Sequence, residues 1–311
     1  MSKQITHKQH YVWRTYLKPW CHCHNLKKRQ FFVWWSDKKT HKYTNVFDIL
    51  RENDFYQLKP LNKIELYLLR HMFIETKEGD VLEANENIYG IATTISSVSE
   101  FVGEVSEFKD LQIQDGELFQ STFEKMGIES LSHLLSEDVA WLDSENNMAD
   151  FIVFLLVQYF RTKTMKENTM NAMNPSSSLL INMYKKEFND SADYSINWDN
   201  IYNYGHLCLA HRAALGLLSK KFRFKLLKTK KANFIVSDQP VYNIGDNSVN
   251  EFILFYPLSP KLALLGASDI ASNCIVEIED NEALFYNYNT LKHTLNFFMG
   301  KEEKDVVLFD R

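Results

Sequence analysis

The separation of helical and strand-like patterns along the chain constrains its fold more than any other feature. Between about residues 50 and 218, apolar side chains recur at helical spacing, whereas strand-length runs of β-branched and aromatic residues lie on either side. Strands that are segregated from helices in this way are typical of an α+β fold rather than of alternating βαβ units. We therefore expect a central helical bundle packed on a mostly antiparallel sheet, built from N-terminal and C-terminal strands.

The length of the chain suits one large domain or two modest ones. Its 311 residues include ten glycines and six prolines, which argues against a long flexible linker. We predict a single α+β domain over residues 1–311. Within it, the helical middle covers about residues 50–218 and the C-terminal, sheet-rich part covers about residues 219–311.

Individual elements follow from local periodicity and from turn residues. Two strands should form a hairpin near the N-terminus, three helices should fill part of the middle, and a last strand should lie near the C-terminus. The hairpin strands are Arg29–Trp35 and Lys42–Ile49, and the three helices are Gly116–Met126, Ile128–Leu142 and Met148–Lys166. The last strand is Val306–Phe309.

Nothing in the sequence resembles a membrane or secretory protein. The longest apolar run, Phe151–Val157, is far too short to span a bilayer. Residues Met1–His10 are polar and lack the pattern of a signal peptide. The four cysteines do not form a disulfide framework in a chain of this length. We expect a cytoplasmic protein with no membrane association.

Charge is distributed unevenly, although the net charge is only −5. Residues 1–43 carry ten Lys and Arg against a single acid, Asp37, whereas residues 75–150 are strongly acidic. The basic segments suit a nucleic acid or nucleotide, and the acidic helical middle suits a protein partner. The alternative is that the two kinds of solvated surface merely balance each other.

One helix that is apolar nearly all round carries Gln158 and Arg161 close to its end. An arginine beside such a run needs a carboxylate, a set of carbonyl oxygens or a bound anion, because its charge cannot be shed. Asp238 ends a strand-like run and is the internal candidate for an ion pair with Arg161. The alternative is that Arg161 binds an anion in a cleft.

His10 and Arg14 are four residues apart, so they share a face of a predicted helix. Histidine can act as acid or base near neutral pH, and arginine can hold a phosphate by its planar fork. The alternative for His10 is a partly buried ring with one carbonyl partner. The chain has no nucleophile elbow, zinc-protease motif, P-loop or dinucleotide glycine motif.

Two metal sites are compatible with the residue types. A divalent metal at Asp238 would use its carboxylate. Zinc could be held by His7, His10, Cys21 and Cys23, although their spacing matches no standard zinc motif.

Five separated segments of the chain resemble one family in their order and spacing. They are His10–Val12 with Arg14 and Tyr16-Leu17, Gln158-Tyr159 with Arg161-Thr162, Phe234–Val241, Pro257–Pro260, and Asn287 with Asn289. Together they resemble the bacterial family known as domain of unknown function 4238. Trp13 and Gln239 depart from the family pattern, which usually has proline and asparagine there. The resemblance implies one α+β unit with a shared site, and it supplies no activity.

The functional prediction rests on the residue types that the resemblance brings together. We expect a bacterial effector that acts on a phosphate-bearing substrate, as a nuclease or other hydrolase, or as a nucleotide-modifying toxin, in antiviral defence or a stress response. The alternative is a non-catalytic sensor or binding module in which the same residues form a buried network. An open cleft at Asp238 would favour the enzyme, and a sealed network would favour the module. In the enzyme, the catalytic residues would be His10, Asp238 and Arg161, and the substrate-binding residues would be Tyr11, Arg14, Gln158 and Ser237.

Overall fold

The described chain divides into two compact units, each assembled from separate stretches of sequence. The structure, a computed structural model, describes residues 7–25, 27–75, 79–103, 105–245 and 252–309. Unit 1 combines the described residues up to Gln9 with residues 53–122 and 165–213. Unit 2 combines His10–Glu52, Phe123–Thr164 and the described residues from Ala214 onward. The expectation of a single domain over residues 1–311 stays a prediction.

Helices and strands are both present, and the predicted α+β class is confirmed. The α-helices are α1 Arg14–Leu17, α2 Lys63–Leu68, α3 Gly79–Val102, α4 Ser106–Leu135, α5 Glu145–Phe160, α6 Lys163–Met173, α7 Ser177–Phe188, α8 Trp198–Ser219, α9 Asp280–His293 and α10 Glu303–Val307. The strands are β1 Lys8–His10, β2 His22–Asn25, β3 Gln30–Ser36, β4 His41–Asn45, β5 Arg51–Asn53, β6 Arg223–Thr229, β7 Val236–Ser237, β8 Tyr242–Asn243, β9 Leu254–Ser259, β10 Leu262–Ala267, β11 Cys274–Ile278 and β12 Phe298–Gly300.

One sheet of unit 2 joins strands from both parts of the chain, as predicted. Its order is β2-β3-β12-β7, with β4 paired to the other edge of β3, and all of these pairs are antiparallel. The predicted hairpin is the β3–β4 pair. The second sheet has the order β11-β6-β10-β9-β8, in which only the β11–β6 pair is parallel.

The core of unit 2 is organised around α5, which is buried along most of its length. Its Phe151 meets Phe224 of β6 edge to face, with ring centroids 5.4 Å apart. Helix α4 continues through Gly127, where the sequence predicted a break between two helices. A Cβ at this position would lie 2.3 Å from the Phe154 ring, so glycine allows α4 to approach α5 closely.

Two further element predictions are wrong in instructive ways. The segment Val306–Phe309 was expected to be a strand, but α10 covers its start, because Glu302 and Asp305 form a reciprocal capping box. The predicted helix Met148–Lys166 is interrupted at Arg161, which ends α5 before α6 begins. That interruption places Arg161 at a helix terminus rather than within a continuous helix.

Unit 1 is mainly helical and contains several buried polar pairs. Gln57 donates to Gln112 over 2.8 Å, and Gln120 lies 3.0 Å from His206. His206 is almost fully buried. Across the part of the chain that the structure describes, no helix combines the length and the apolar character needed to cross a membrane.

Candidate functional site

The guanidinium of Arg161 holds three segments of unit 2 together. Its side chain is completely buried at the C-terminal end of α5. Nη2 donates to the carbonyl oxygen of His10 over 3.2 Å and to Glu124 Oε1 over 2.8 Å, while Nε donates to the carbonyl oxygen of Tyr11 over 3.4 Å. The positive charge is therefore satisfied by one carboxylate and two carbonyls. The predicted partner Asp238 was wrong, because the ion pair is made with Glu124 of α4.

His10 is largely buried and lies among positive charges. Burial lowers its pKa most, and Arg14, Arg51 and Arg161 lower it further, so the pKa falls from 6.5 to about 3. A hydrogen bond with the carbonyl of Phe47 opposes this shift only in part. At neutral pH the imidazole is therefore uncharged. A proton donor for catalysis works best with a pKa near the working pH, and His10 is far from that value.

The carboxylate of Asp238 is buried and bound to backbone amides. It accepts from the N–H groups of Leu295 over 3.0 Å, Asn296 over 2.6 Å and Phe297 over 3.2 Å. Burial raises the pKa of Asp238, and the three amide bonds counteract the rise. Both carboxylate oxygens are thus engaged in fixing the segment that precedes β12. This geometry agrees with a sealed structural network at Asp238 rather than an open one.

The turn around Asp238 is tied to the end of α5 through Gln239. The side-chain amide of Gln239 donates its N–H to the backbone carbonyl of Tyr159 over 3.1 Å, and its side-chain oxygen accepts from the hydroxyl of Thr162. The hydroxyl of Ser237 accepts from the backbone N–H of Gln239 over 3.1 Å and donates to the backbone carbonyl of Gln239 over 3.0 Å. Ser237 therefore stabilises the turn locally, and its hydroxyl is buried.

The remaining predicted binding residues occupy different environments. Tyr11 is almost fully buried, and Arg14 places its guanidinium 4.7 Å from the centre of the Phe47 ring. Gln158 is also buried, and among the described residues its Nε2 has no hydrogen-bond partner. Gln158 is enclosed, Arg14 is partly buried, and Tyr11 also lines a cleft of unit 2.

An open cleft of about 390 Å³ lies where these segments meet in unit 2. Its lining residues are Tyr11, Trp35, Asp48, Ile49, Leu50, Arg51, Glu52, Lys163, Asn296 and Phe297. Tyr11 comes from the His10 segment, Lys163 directly follows the Arg161 motif, and Asn296 and Phe297 are held by Asp238. Most of the predicted site residues therefore lie behind the cleft, and most of the side chains that face it belong to other residues.

The accessible charges of the cleft are arranged as two ion pairs. Arg51 Nη2 lies 3.1 Å from Asp48 Oδ1, and Lys163 pairs with Glu52. All four side chains are partly or largely exposed. Aromatic rings stand beside them, with Trp35 and Phe297 meeting edge to face at 5.3 Å. The cleft therefore combines cations, carboxylates and flat apolar surface.

Comparison with known proteins supports the resemblance seen in the sequence. The model of the family described as "Protein of unknown function (DUF4238)" matches residues 8–303. The chain belongs to the DUF4238 family. No curated protein and no solved structure matches the chain.

The segments that carry the DUF4238 resemblance contact one another directly. Tyr16 donates its hydroxyl to the carbonyl of Pro257 over 2.6 Å and stacks on Tyr256 at 4.9 Å. Asn287 accepts from the N–H of Ile235 over 3.0 Å and donates to the carbonyl of Asn233 over 2.8 Å. The DUF4238 motifs of this chain thus form one connected framework in unit 2.

The predicted site residues do meet, but the sequence missed the side chains that face the cleft. Arg51, Trp35 and Lys163 stand in no recognisable motif, although Lys163 immediately follows the Arg161-Thr162 pair. Glu124 lies within the strongly acidic segment 75–150. Its spacing along α4 gave no signal of a buried partner.

Among the described residues, neither predicted metal site is supported by a cluster of ligating side chains. Within residues 7–25, 27–75, 79–103, 105–245 and 252–309, no three His, Cys, Asp or Glu side chains are grouped so that they could hold a metal ion. At Asp238 the backbone amides occupy the positions around the carboxylate that a cation would need.

Proposed function

We propose that this DUF4238 protein is a binding module for a phosphate-bearing ligand, with a nucleotide as the best fit, and that the ligand lies in the cleft beside Arg51 and Lys163. The observation that carries the proposal is the engagement of Asp238 by three backbone amides. The carboxylate fixes Asn296 and Phe297, which form one wall of the cleft. Asp238 therefore shapes a binding surface and is not available to react.

The chemistry of the cleft supports a ligand with both a phosphate and a flat ring. Arg51 and Lys163 supply positive charge, and guanidinium groups bind phosphate oxygens in a bidentate manner. Trp35 and Phe297 supply flat apolar surface on which a base can stack. A nucleotide matches both features, whereas a purely apolar ligand would leave the charges unused.

The ion pairs in the cleft do not prevent phosphate binding. Exposed pairs of this kind stabilise a protein by only about 0–1 kcal/mol. Arg51 and Lys163 could therefore exchange Asp48 and Glu52 for phosphate oxygens at little cost. The buried Arg161 is already paired with Glu124, so it is not among the cations that would meet the ligand.

Catalysis by the predicted residues is less well supported than binding. The low pKa of His10 makes it a poor acid and a weak base at neutral pH. The nuclease, hydrolase or toxin activity and the role in antiviral defence stay predictions. If the chain turns out to be catalytic, the reacting groups would have to be sought among the side chains that face the cleft.

Thermal unfolding of the full chain with nucleoside triphosphates, monophosphates and inorganic phosphate tests the proposal. A ligand at about 100 times its Kd stabilises the folded state by about 2.7 kcal/mol. We expect a nucleotide to raise the Tm of the wild type. Arg51→Gln and Lys163→Gln should reduce that rise without lowering the Tm of the free protein substantially.

Lys220→Gln is the matched control, because Lys220 is exposed and lies outside the cleft lining. It should respond to the nucleotide like the wild type. If Lys220→Gln reduces the nucleotide-induced rise in Tm as much as the two cleft variants do, that result would contradict a site at the cleft. Chromatography of the nucleotide after incubation provides a second readout. Turnover that Arg51→Gln abolishes would refute a purely binding role.

A further inference from the structure

One face of the β3–β4 hairpin and the neighbouring β2 carries a continuous row of rings. The strand register places Trp34 opposite Tyr43, and it places His22 opposite Phe32. His41 lies on the same face, with its ring 6.2 Å from that of Trp34. We call these five side chains the aromatic face.

The rings of the aromatic face contact one another and remain accessible. Tyr43 stacks on Phe32 at 5.2 Å and lies 5.1 Å from Trp34. It is 37% exposed, and His22 and His41 are exposed as well. Trp34 also packs against the apolar cluster that contains Val306, so one side of the face is anchored in the protein. Glu303 lies at this edge, 3.4 Å from His41 Nε2.

Basic residues flank the aromatic face at both ends of the strands. Lys27, Lys28 and Arg29 form the turn between β2 and β3 and are exposed. Lys39 lies in the turn between β3 and β4 and is exposed, whereas Lys38 in the same turn donates its ammonium group to the carbonyl of Thr294 over 2.9 Å. Asp37 is the only acidic residue between positions 22 and 45. Its carboxylate accepts from the amides of Lys39 and Thr40, so it stabilises the turn.

We propose that the aromatic face is a second binding site, and that its ligand is a single-stranded nucleic acid. Rings on a sheet surface offer stacking platforms to unpaired bases, as in sheet-based RNA-binding modules. The exposed lysines at both ends provide charge complementarity to the phosphates that run past the rings. Other occupants fit less well, because an apolar protein segment would offer no anionic group to Lys27, Lys28 and Lys39.

This site is separate from the cleft. Trp35 alternates with Trp34 along β3 and therefore points to the opposite face of the strand, where it lines the cleft. A nucleotide in the cleft and a nucleic acid on the aromatic face would occupy opposite sides of the same strand. The two proposals can therefore be tested with independent variants.

Fluorescence anisotropy with labelled 12-mers of uridine and of thymidine tests the proposal on the full chain. We expect the wild type to bind both oligonucleotides, with an affinity that falls as salt rises. Tyr43→Ala should weaken binding by about 5- to 150-fold, the range expected when one stacked base loses its platform. Tyr43→Phe keeps the ring and should retain the wild-type affinity.

Charge reversal supplies the second arm of the test. The double variant Lys27→Glu with Lys28→Glu should weaken binding and flatten its salt dependence. The matched control, Lys186→Glu with Lys220→Glu, changes the net charge equally at exposed positions elsewhere. It should bind nearly like the wild type.

The results that would overturn the proposal are equally defined. They are an absence of oligonucleotide binding by the folded wild type at low salt, equal weakening by the control double variant, or undiminished binding by Tyr43→Ala. Far-ultraviolet circular dichroism and thermal melts would show whether each variant is folded.

Discussion

Replacing Arg161 with alanine should destabilise unit 2 strongly. The substitution removes a fully buried guanidinium that connects α5 to α4 and to the segment that contains His10 and Tyr11. It leaves the carboxylate of Glu124, which is 23% exposed, without its cation. It also leaves two carbonyl oxygens without these donors.

The expected size of the effect follows from these three contacts. The 2.8 Å bond to Glu124 joins two charges and should contribute about 1.5–3 kcal/mol. The bonds to the carbonyls are longer, at 3.2 and 3.4 Å, and should contribute about 0.5–1.5 kcal/mol each. We therefore expect a loss of about 3–5 kcal/mol, which agrees with the cost of removing one partner from a buried ion pair.

Urea unfolding followed by tryptophan fluorescence would measure this loss. Five of the six tryptophans, at positions 13, 20, 34, 35 and 141, lie in unit 2, so the signal reports mainly on that unit. Lys220→Ala is the control, because Lys220 is exposed and lies in unit 2. It should change the free energy of unfolding by less than about 1 kcal/mol. A loss below about 1 kcal/mol for Arg161→Ala would refute the assignment of Arg161 as a structural anchor.

Three further substitutions test other parts of the framework. The pKa of His10 is lowered to about 3 in the folded state. The stability that depends on an uncharged His10 is therefore present above pH 6.5 and is lost as the pH falls towards 3. Urea unfolding should show about 2 kcal/mol of this loss by pH 5, and His10→Gln should abolish the pH-dependent loss. Asn287→Ala should cost about 2–4 kcal/mol, because it breaks two buried bonds to the backbone, whereas Asn289→Ala should cost less than about 0.5 kcal/mol in the same assay. Gly127→Ala should lower the Tm, because the new Cβ would lie 2.3 Å from the Phe154 ring, and an unchanged Tm would show that α4 and α5 are not so closely packed.

Periodicity and turn residues were sufficient to predict much of the fold. The aromatic and β-branched run Arg29–Trp35 and the polar turn that follows it predicted the β3–β4 hairpin correctly. Gly127 suggested a helix break, but its role is to permit close packing, which depends on a neighbour distant in sequence. The C-terminal segment at Val306 looked like a strand because its apolar run is short, and the capping box at Glu302 determined the helix instead.

The candidate site was predictable as a set of segments but not as a set of roles. An apolar helix that ends in an arginine indicated that Arg161 needs a partner, and the structure supplies Glu124. The partner could not be identified from sequence, because many acids lie between positions 75 and 150 and pairing depends on tertiary packing. Asp238 looked reactive because it ends a strand, but it binds amides more than fifty residues away. Neither the backbone amides that bind the Asp238 carboxylate nor the shape of the cleft can be recognised from the local sequence.

Hydrogen–deuterium exchange with and without a nucleotide is the most direct test of the binding site. We propose that the ligand lies between the segment 48–52, Lys163 and the segment 295–297. We expect slower exchange in peptides that cover these three regions when a saturating nucleotide is added. Unchanged exchange there, together with protection elsewhere in the chain, would contradict it.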